Sequence, residues 1–309
     1  MALSKEYSLG LQYIPNDTPL EDIVHLMKRD GAVVVRNLIP TEILDKTYDE
    51  VKDRINQDLE WDGAFFPKET KRAPSLIARS PTYTKTQVMN PLFQSVCAYF
   101  LTTRNTFWWG DKPKESVSKP QITSCVAIEI GPGAKAQPLH RDSYIHHRVV
   151  PQISEWDDER DKDREPTIGM FVAGCKVRRE NGGTQIIPGS HLWATKPDNP
   201  PSLEETIVPE LERGDAIIMF ASLFHGGGNN TTSDQHRLVY STFAVRGYLR
   251  QEENQYLAVP KDIVKQYDKA TQEFIGYYIS EPAGGWVEEL DPYYTLYPEK
   301  LKDAKLEDF

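Results

Sequence analysis

Cysteine is scarce: Cys97, Cys125 and Cys175 are the three in 309 residues, odd in number and far apart. That excludes a disulfide framework and a cysteine-based zinc site, and the expectation is buried thiols in a reducing compartment. Long apolar runs are missing too. No stretch approaches the roughly 20 residues of a membrane-spanning helix, and the opening Met1-Ala2-Leu3-Ser4-Lys5-Glu6 lacks the apolar core of a signal peptide. A cytoplasmic protein with no membrane partner is expected. Dense Lys/Arg runs are also absent and the net charge is -10, which argues against nucleic acid or an anionic membrane surface and for a neutral or weakly polar small molecule as partner. With no internal repeat or low-complexity linker, one domain is expected over residues 1–309: a helical region at 1–120, a core at 121–250, and a C-terminal helix and tail at 251–309.

What is present is patterned. Thr18 and Glu21 have capping-box spacing, Pro19 suits the first helical position, and Leu20, Ile23, Val24 and Met27 share a face. This predicts a helix ending near Asp30-Gly31. Residues 32–35 read as a buried strand; after Pro40-Thr41 a second helix carries Ile43, Leu44, Tyr48, Val51, Ile55 and Leu59. Residues 60–120 mix Trp61, Phe65, Phe66, Trp108 and Trp109 with Pro, Lys and Thr without a period, predicting loops and one helix at 91–102. From 122 onward come short β-branched runs at 122–130, 167–175, 184–187, 215–220 and 238–245. Turn clusters such as Gly131-Pro132-Gly133, Asn181-Gly182-Gly183 and Arg213-Gly214-Asp215 separate them, as in a jelly roll or barrel. The charged stretch 154–165 predicts an exposed loop, and a last helix at 260–279 should bury Ile263, Val264, Tyr267, Ala270 and Phe274.

One constellation carries chemistry. His140 and Asp142 lie two apart on an extended segment, so both point the same way while Arg141 faces elsewhere. Alone, such a pair is equally a hydrogen-bonded surface pair. His225 after another β-like run, and Arg237 twelve residues further on, change the reading. Two imidazoles and one carboxylate can occupy one face of an iron ion, leaving the other face for an oxoacid and dioxygen. A buried cation at Arg237 suits the distal carboxylate of a dicarboxylic oxoacid, although an ordinary salt bridge is its other reading. His191 and His236 compete as ligands; His146 and His147 read as an exposed loop pair. Phe65, Phe66, Tyr83, Trp108 and Tyr144 are candidates for an apolar pocket wall, against the plainer reading of aromatic core, with the tail around Tyr293 and Tyr297 as the alternative wall.

The segments Gln137-Pro138-Leu139-His140-Arg141-Asp142, Glu180-Asn181-Gly182-Gly183-Thr184, Pro188-Gly189-Ser190-His191, Gly214-Asp215, His225-Gly226-Gly227 and Arg237 resemble the phytanoyl-CoA dioxygenase family of Fe(II)/2-oxoglutarate enzymes. The similarity is closest to the fungal branch that tailors secondary metabolites such as meroterpenoids and alkaloids. It implies a mainly β protein with flanking α-helices, built on a double-stranded β-helix (jelly roll, cupin-like) core. It also implies Fe(II) as metal, 2-oxoglutarate and O2 as cosubstrates, a hydrophobic natural product as substrate, and a homodimer. By the same matching, His140, Asp142 and His225 would be the iron ligands and Arg237 the partner of the cosubstrate's 5-carboxylate. Gln137, Thr184 and, more distantly, Arg72 would also bind the cosubstrate. The carboxylate of Asp142 excludes the halogenase variant of such sites. The implied outcome is hydrogen abstraction at the nearest substrate carbon, giving hydroxylation, desaturation or rearrangement. Hydroxylation of an acyl-CoA or a protein side chain, and a catalytically silent jelly-roll binder, are the rival readings.

Overall fold

The computed structural model describes residues 10–57 and 65–304. Among the described residues there are eleven strands: β1 (Tyr13–Ile14), β2 (Ala32–Val35), β3 (Thr70–Ala73), β4 (Thr103–Trp109), β5 (Lys112–Ser118), β6 (Gln121–Ile130), β7 (Thr167–Ala173), β8 (Thr184–Ile186), β9 (Ala216–Phe220), β10 (His225–Gly227) and β11 (Arg237–Val245). Seven of them form one sheet in the order β1-β2-β9-β7-β11-β6-β3. Facing it is a smaller sheet in which β10 pairs β8, extended by bridges from His140 to His225 and from Ile186 to Ile207. The order β6-β11-β7-β9 opposite 140-β10-β8-207 is that of a double-stranded β-helix, as expected.

The strands are near-continuously apolar because the large sheet is covered on both sides. One face, with Ala32, Val34, Phe171, Ile217, Met219 and Val239, packs toward the small sheet through Ile186. The other, with Val33, Val35, Ile122, Ile168, Ile218 and Tyr240, packs on the helices Leu20–Asp30, Thr41–Ile55 and Pro91–Leu101. The first helix ends on Gly31 at φ 81, where a Cβ would lie 2.5 Å from the His191 ring, so the predicted stop is steric as well as conformational.

Four local expectations need correction. The Thr18/Glu21 capping box does not form: Thr18 Oγ1 donates to Pro15 O at 2.8 Å, and Pro19 sits at the N-cap with no side-chain cap. In the stretch read as loops and one helix, β3 joins the large sheet and β4 pairs β5 as a separate antiparallel hairpin. Both hairpin strands are largely exposed, so no burial alternation marks them. The 154–165 stretch is not a free loop. Trp156 stacks on Phe220 at 5.3 Å, Asp157 caps a turn of helix at Asp158–Asp161, and Arg164 and Glu165 are buried. Its charges are taken up locally, Lys28 pairing Asp158 at 2.6 Å and Arg160 pairing Asp161 at 2.6 Å. The last helix is broken into Lys261–Val264 and Lys269–Ile275; Val264, Tyr267 and Phe274 are buried as predicted and Ala270 is exposed. Cys97 and Cys125 are buried free thiols and Cys175 is half-buried. Leu59 and Trp61 lie outside the described residues. Among the described residues no helix is long and apolar enough to cross a membrane.

Candidate active site

The two sheets diverge around a cavity of about 250 Å³. At one edge the 137–140 segment runs as a strand beside β10: Gln137 N donates to Gly227 O at 2.8 Å, and His140 and His225 exchange backbone hydrogen bonds at 2.9 Å. This pairing sets the two histidines side by side, ring centroids 4.5 Å apart. Asp142 follows at the start of a short 3-10 turn, on the same side as His140.

Each imidazole is oriented by its own backbone. His140 Nδ1 is 2.8 Å from Pro138 O and His225 Nδ1 is 3.0 Å from Leu223 O. Donation to a carbonyl fixes the proton on Nδ1 and leaves Nε2 as a lone-pair donor, the arrangement metal-binding histidines use. Asp142 Oδ1 lies 3.5 Å from His140 Nε2, and Oδ2 lies 3.3 Å from His225 Nε2. The three ligand atoms fall within 4.8 Å of one another. Burial alone would raise the Asp142 carboxyl, but His225 and His140 outweigh it and hold it well below the usual carboxylate range. Burial pulls His225 down, and Asp142 reverses this and leaves it raised. Two imidazole nitrogens and one carboxylate gathered at one point are a donor set that fits a divalent transition metal.

Arg237, 3% exposed, opens β11 and faces the same cavity. Burial pulls it down to about 10, which leaves it charged at neutral pH. Its Nε and Nη2 both donate to Gly182 O, at 2.9 and 2.6 Å, and among the described residues no carboxylate pairs with it. Gln137 Oε1 accepts from Gly227 N at 2.9 Å, so its amide NH2 is the end left to donate. Thr184, buried on β8, lines the cavity as well. Arg72 on β3 lies on its far wall, its guanidinium 4.0 Å from the centroid of Phe66.

Of the aromatic candidates, Phe65, Phe66 and Tyr144 line the cavity and two do not. Phe65 meets the His140 ring edge-on at 4.8 Å. Tyr83 is fully buried in the helical core, where its hydroxyl donates to Ser241 O at 2.8 Å. Trp108 is 73% exposed on the β4-β5 hairpin. Sequence reading missed the sheet floor: Ser124, Val126, Ile128 and Ile130 on β6, and Val239, Ser241 and Phe243 on β11. The signal was there, because with Arg237 facing inward its neighbours at intervals of two must follow. The competing histidines are elsewhere. His191 is fully buried with Nε2 3.0 Å from Lys28 O, and His236 faces Glu129 at 3.2 Å. His147 is exposed, while His146 is half-buried with Nε2 2.9 Å from Thr167 Oγ1.

Several known proteins resemble this chain along most of its length. "Dioxygenase himG" of Aspergillus japonicus is 35% identical over 286 residues, covering 90% of this chain and 87% of the relative. "Dioxygenase cnsJ" of Penicillium expansum is 35% identical over 285 residues, covering 92% and 84%. Among solved structures, HygX from Streptomyces hygroscopicus with nickel and 2-oxoglutarate bound superposes with a TM-score of 0.53 at 14% identity, covering 74% of this chain and 88% of HygX. At that identity the likeness speaks for the fold. The phytanoyl-CoA dioxygenase (PhyH) pattern matches residues 27–238, a stretch that holds the histidine pair, the carboxylate and the buried arginine, and the chain belongs to that family.

Proposed function

We propose that the protein is an Fe(II)- and 2-oxoglutarate-dependent dioxygenase that oxidises an organic natural product in fungal secondary metabolism. The observation that carries the reading is one cavity that joins a His140-Asp142-His225 donor set to a buried Arg237 that has no carboxylate partner among the described residues. A lone buried guanidinium is costly, and a ligand's carboxylate is the natural group to balance it. The names of fungal relatives such as himG and cnsJ, and the 2-oxoglutarate held by HygX, support the same assignment.

In this reading His140 Nε2, Asp142 and His225 Nε2 hold the iron. Iron bound there supplies the redox centre that couples oxidative decarboxylation of 2-oxoglutarate to oxidation of a substrate C-H bond. Arg237 pairs with the distal carboxylate, and the Gln137 amide and Thr184 hydroxyl donate nearer the metal. Gly182 O keeps Arg237 in place before any ligand arrives. Phe65, Phe66, Phe171 and Phe243 keep water from the reacting face and hold the substrate, so the carbon they present decides the product. Anaerobic addition of 2-oxoglutarate to the Fe(II)-loaded protein should give a visible charge-transfer absorption that Asp142→Ala abolishes. Absence of that band, together with no 2-oxoglutarate consumption in air, would leave a silent binding protein.

A further inference from the structure

Beside the metal-ligand segment lies a second cavity of about 240 Å³ that the reaction above leaves unused. It shares His140 and Tyr144 with the main cavity, so the two spaces meet at the edge of the metal centre. Three arginines line it, Arg141, Arg148 and Arg164, in a chain of net charge -10.

Arg141 and Arg164 are more than nine-tenths buried, and their hydrogen bonds go to carbonyl oxygens. Arg141 donates to Ser190 O at 2.6 Å and Ala194 O at 2.8 Å; Arg164 donates to His191 O at 3.1 Å and Trp193 O at 3.0 Å. A carbonyl satisfies a donor but leaves the positive charge unbalanced. Arg141 Nε is buried with no hydrogen-bond partner, and the half-buried Arg148 guanidinium has none among the described residues. Two carboxyl groups act on the buried pair. Asp161 is already taken by Arg160 at 2.6 Å. Glu165 is fully buried, accepts from the Ser222 hydroxyl, and is held up at about 7 by burial, so at neutral pH it offsets less than one of the three charges.

We propose that this arginine-lined cavity receives a carboxylate of the organic substrate, anchoring it so that the carbons beyond Tyr144 lie against the metal centre. Arg148 supplies the planar fork that matches a carboxylate, while Arg141 and Arg164 supply fixed charge behind it. A substrate without an acid would leave that charge as it stands, so the site selects acidic over neutral analogues. The inference rests on the oxygenase reading only for what lies at the other end of the substrate.

The test is equilibrium binding to the anaerobic Fe(II)-loaded protein, with 2-oxoglutarate saturating so that Arg237 is occupied. The probes are 2-naphthoate, its neutral isostere 2-naphthamide, and inorganic phosphate alone. The wild type should bind 2-naphthoate at least tenfold more tightly than 2-naphthamide. Arg148→Gln should abolish that preference while 2-oxoglutarate affinity stays unchanged, and Arg148→Lys should restore part of it. Equal binding of the two naphthalenes, or a preference that survives Arg148→Gln, overturns the proposal. So does a preference lost in Arg237→Gln and kept in Arg148→Gln, since the probe would then sit in the cosubstrate site. Tight phosphate binding that 2-naphthoate cannot displace also overturns it, marking the cavity as a site for free inorganic anions. Failure of 2-oxoglutarate itself to bind would count against the oxygenase reading, and the Arg148 dependence would still be measurable.

Discussion

The Arg237 guanidinium is held by one carbonyl, that of Gly182, which accepts from both Nε and Nη2. Gly182 has φ 93, and a Cβ there would lie 3.1 Å from Gly228 O and 3.3 Å from Ile130 Cγ2. A left-handed backbone hemmed in by another backbone admits glycine and little else. The glycine thereby aims the arginine. Arg237→Ala should raise the Michaelis constant for 2-oxoglutarate by about a hundredfold, since loss of a buried charge partner costs about 3 kcal/mol. Gly182→Ala should raise it about tenfold by misplacing the carbonyl, with kcat less affected. A wild-type cosubstrate dependence in Arg237→Ala would move the pairing role to Arg72.

Asp142 stands within 3.5 Å of both imidazole nitrogens and is the sole anion of the triad. Its removal leaves two neutral nitrogens, a weak donor set for a hard divalent ion. Anaerobic Fe(II) titration should show one tight site in the wild type, with affinity lowered at least tenfold in Asp142→Ala. His191→Asn should leave the stoichiometry unchanged, because His191 is engaged with Lys28 O far from the triad. Equal iron binding by the wild type and all three single alanine variants at positions 140, 142 and 225 would remove the metal assignment.

The His140-Asp142-His225 cluster was legible because period-two geometry and strand-end placement are local properties, and β6, β7, β8, β9 and β11 were legible because both of their faces are buried. The sequence reading failed where long-range contacts decide. Nothing local tells that Arg164 and Glu165, in a charged run, insert under the 190–194 loop, where carbonyls receive Arg164. Tyr83 and Phe65 look alike in sequence as aromatics before the core. Tyr83 packs beneath the large sheet and Phe65 stands over His140. The β4-β5 hairpin gave no alternation because neither strand has a covered face along most of its length.

Glu165 makes stability depend on pH. Its carboxyl is raised from 4.5 to about 7, mainly by burial, so its contribution is full below 4.5 and is lost as pH rises through 7. The loss is on the order of 3 kcal/mol at about 1.4 kcal/mol per unit. His191 works in the opposite direction. Burial lowers it from 6.5 to about 3, so its contribution is full above 6.5 and falls as pH drops toward 3. Between pH 4.5 and 6.5 the two largely cancel. Glu165→Gln should therefore unmask the histidine, giving stability that rises with pH over this window, and should exceed the wild type at pH 7.5. Denaturant unfolding of both proteins at pH 5 and 7.5 measures this; parallel pH profiles would show that Glu165 is ionised in the folded state as it is in the unfolded one.

Phe65 and Tyr83 also separate pocket from core by experiment. Phe65 is partly exposed, lines the main cavity and touches the His140 ring edge-on at 4.8 Å. Tyr83 fills the core and bonds to Ser241 O behind the sheet. Phe65→Ala should cost less than about 1 kcal/mol of stability. It should also widen the space over the metal centre, so that 2-oxoglutarate turnover continues while succinate release exceeds substrate oxidation and the product ratio shifts. Tyr83→Ala should cost about 3 to 5 kcal/mol by cavity formation, and Tyr83→Phe, which removes only the hydroxyl, should keep the wild-type product ratio and coupling. The measurements are unfolding by denaturant, and succinate quantified alongside product by mass spectrometry. A Phe65→Ala variant that stays coupled with an unchanged product ratio would move the specificity wall to Phe66, Phe171 and Phe243 on the remaining sides of the cavity.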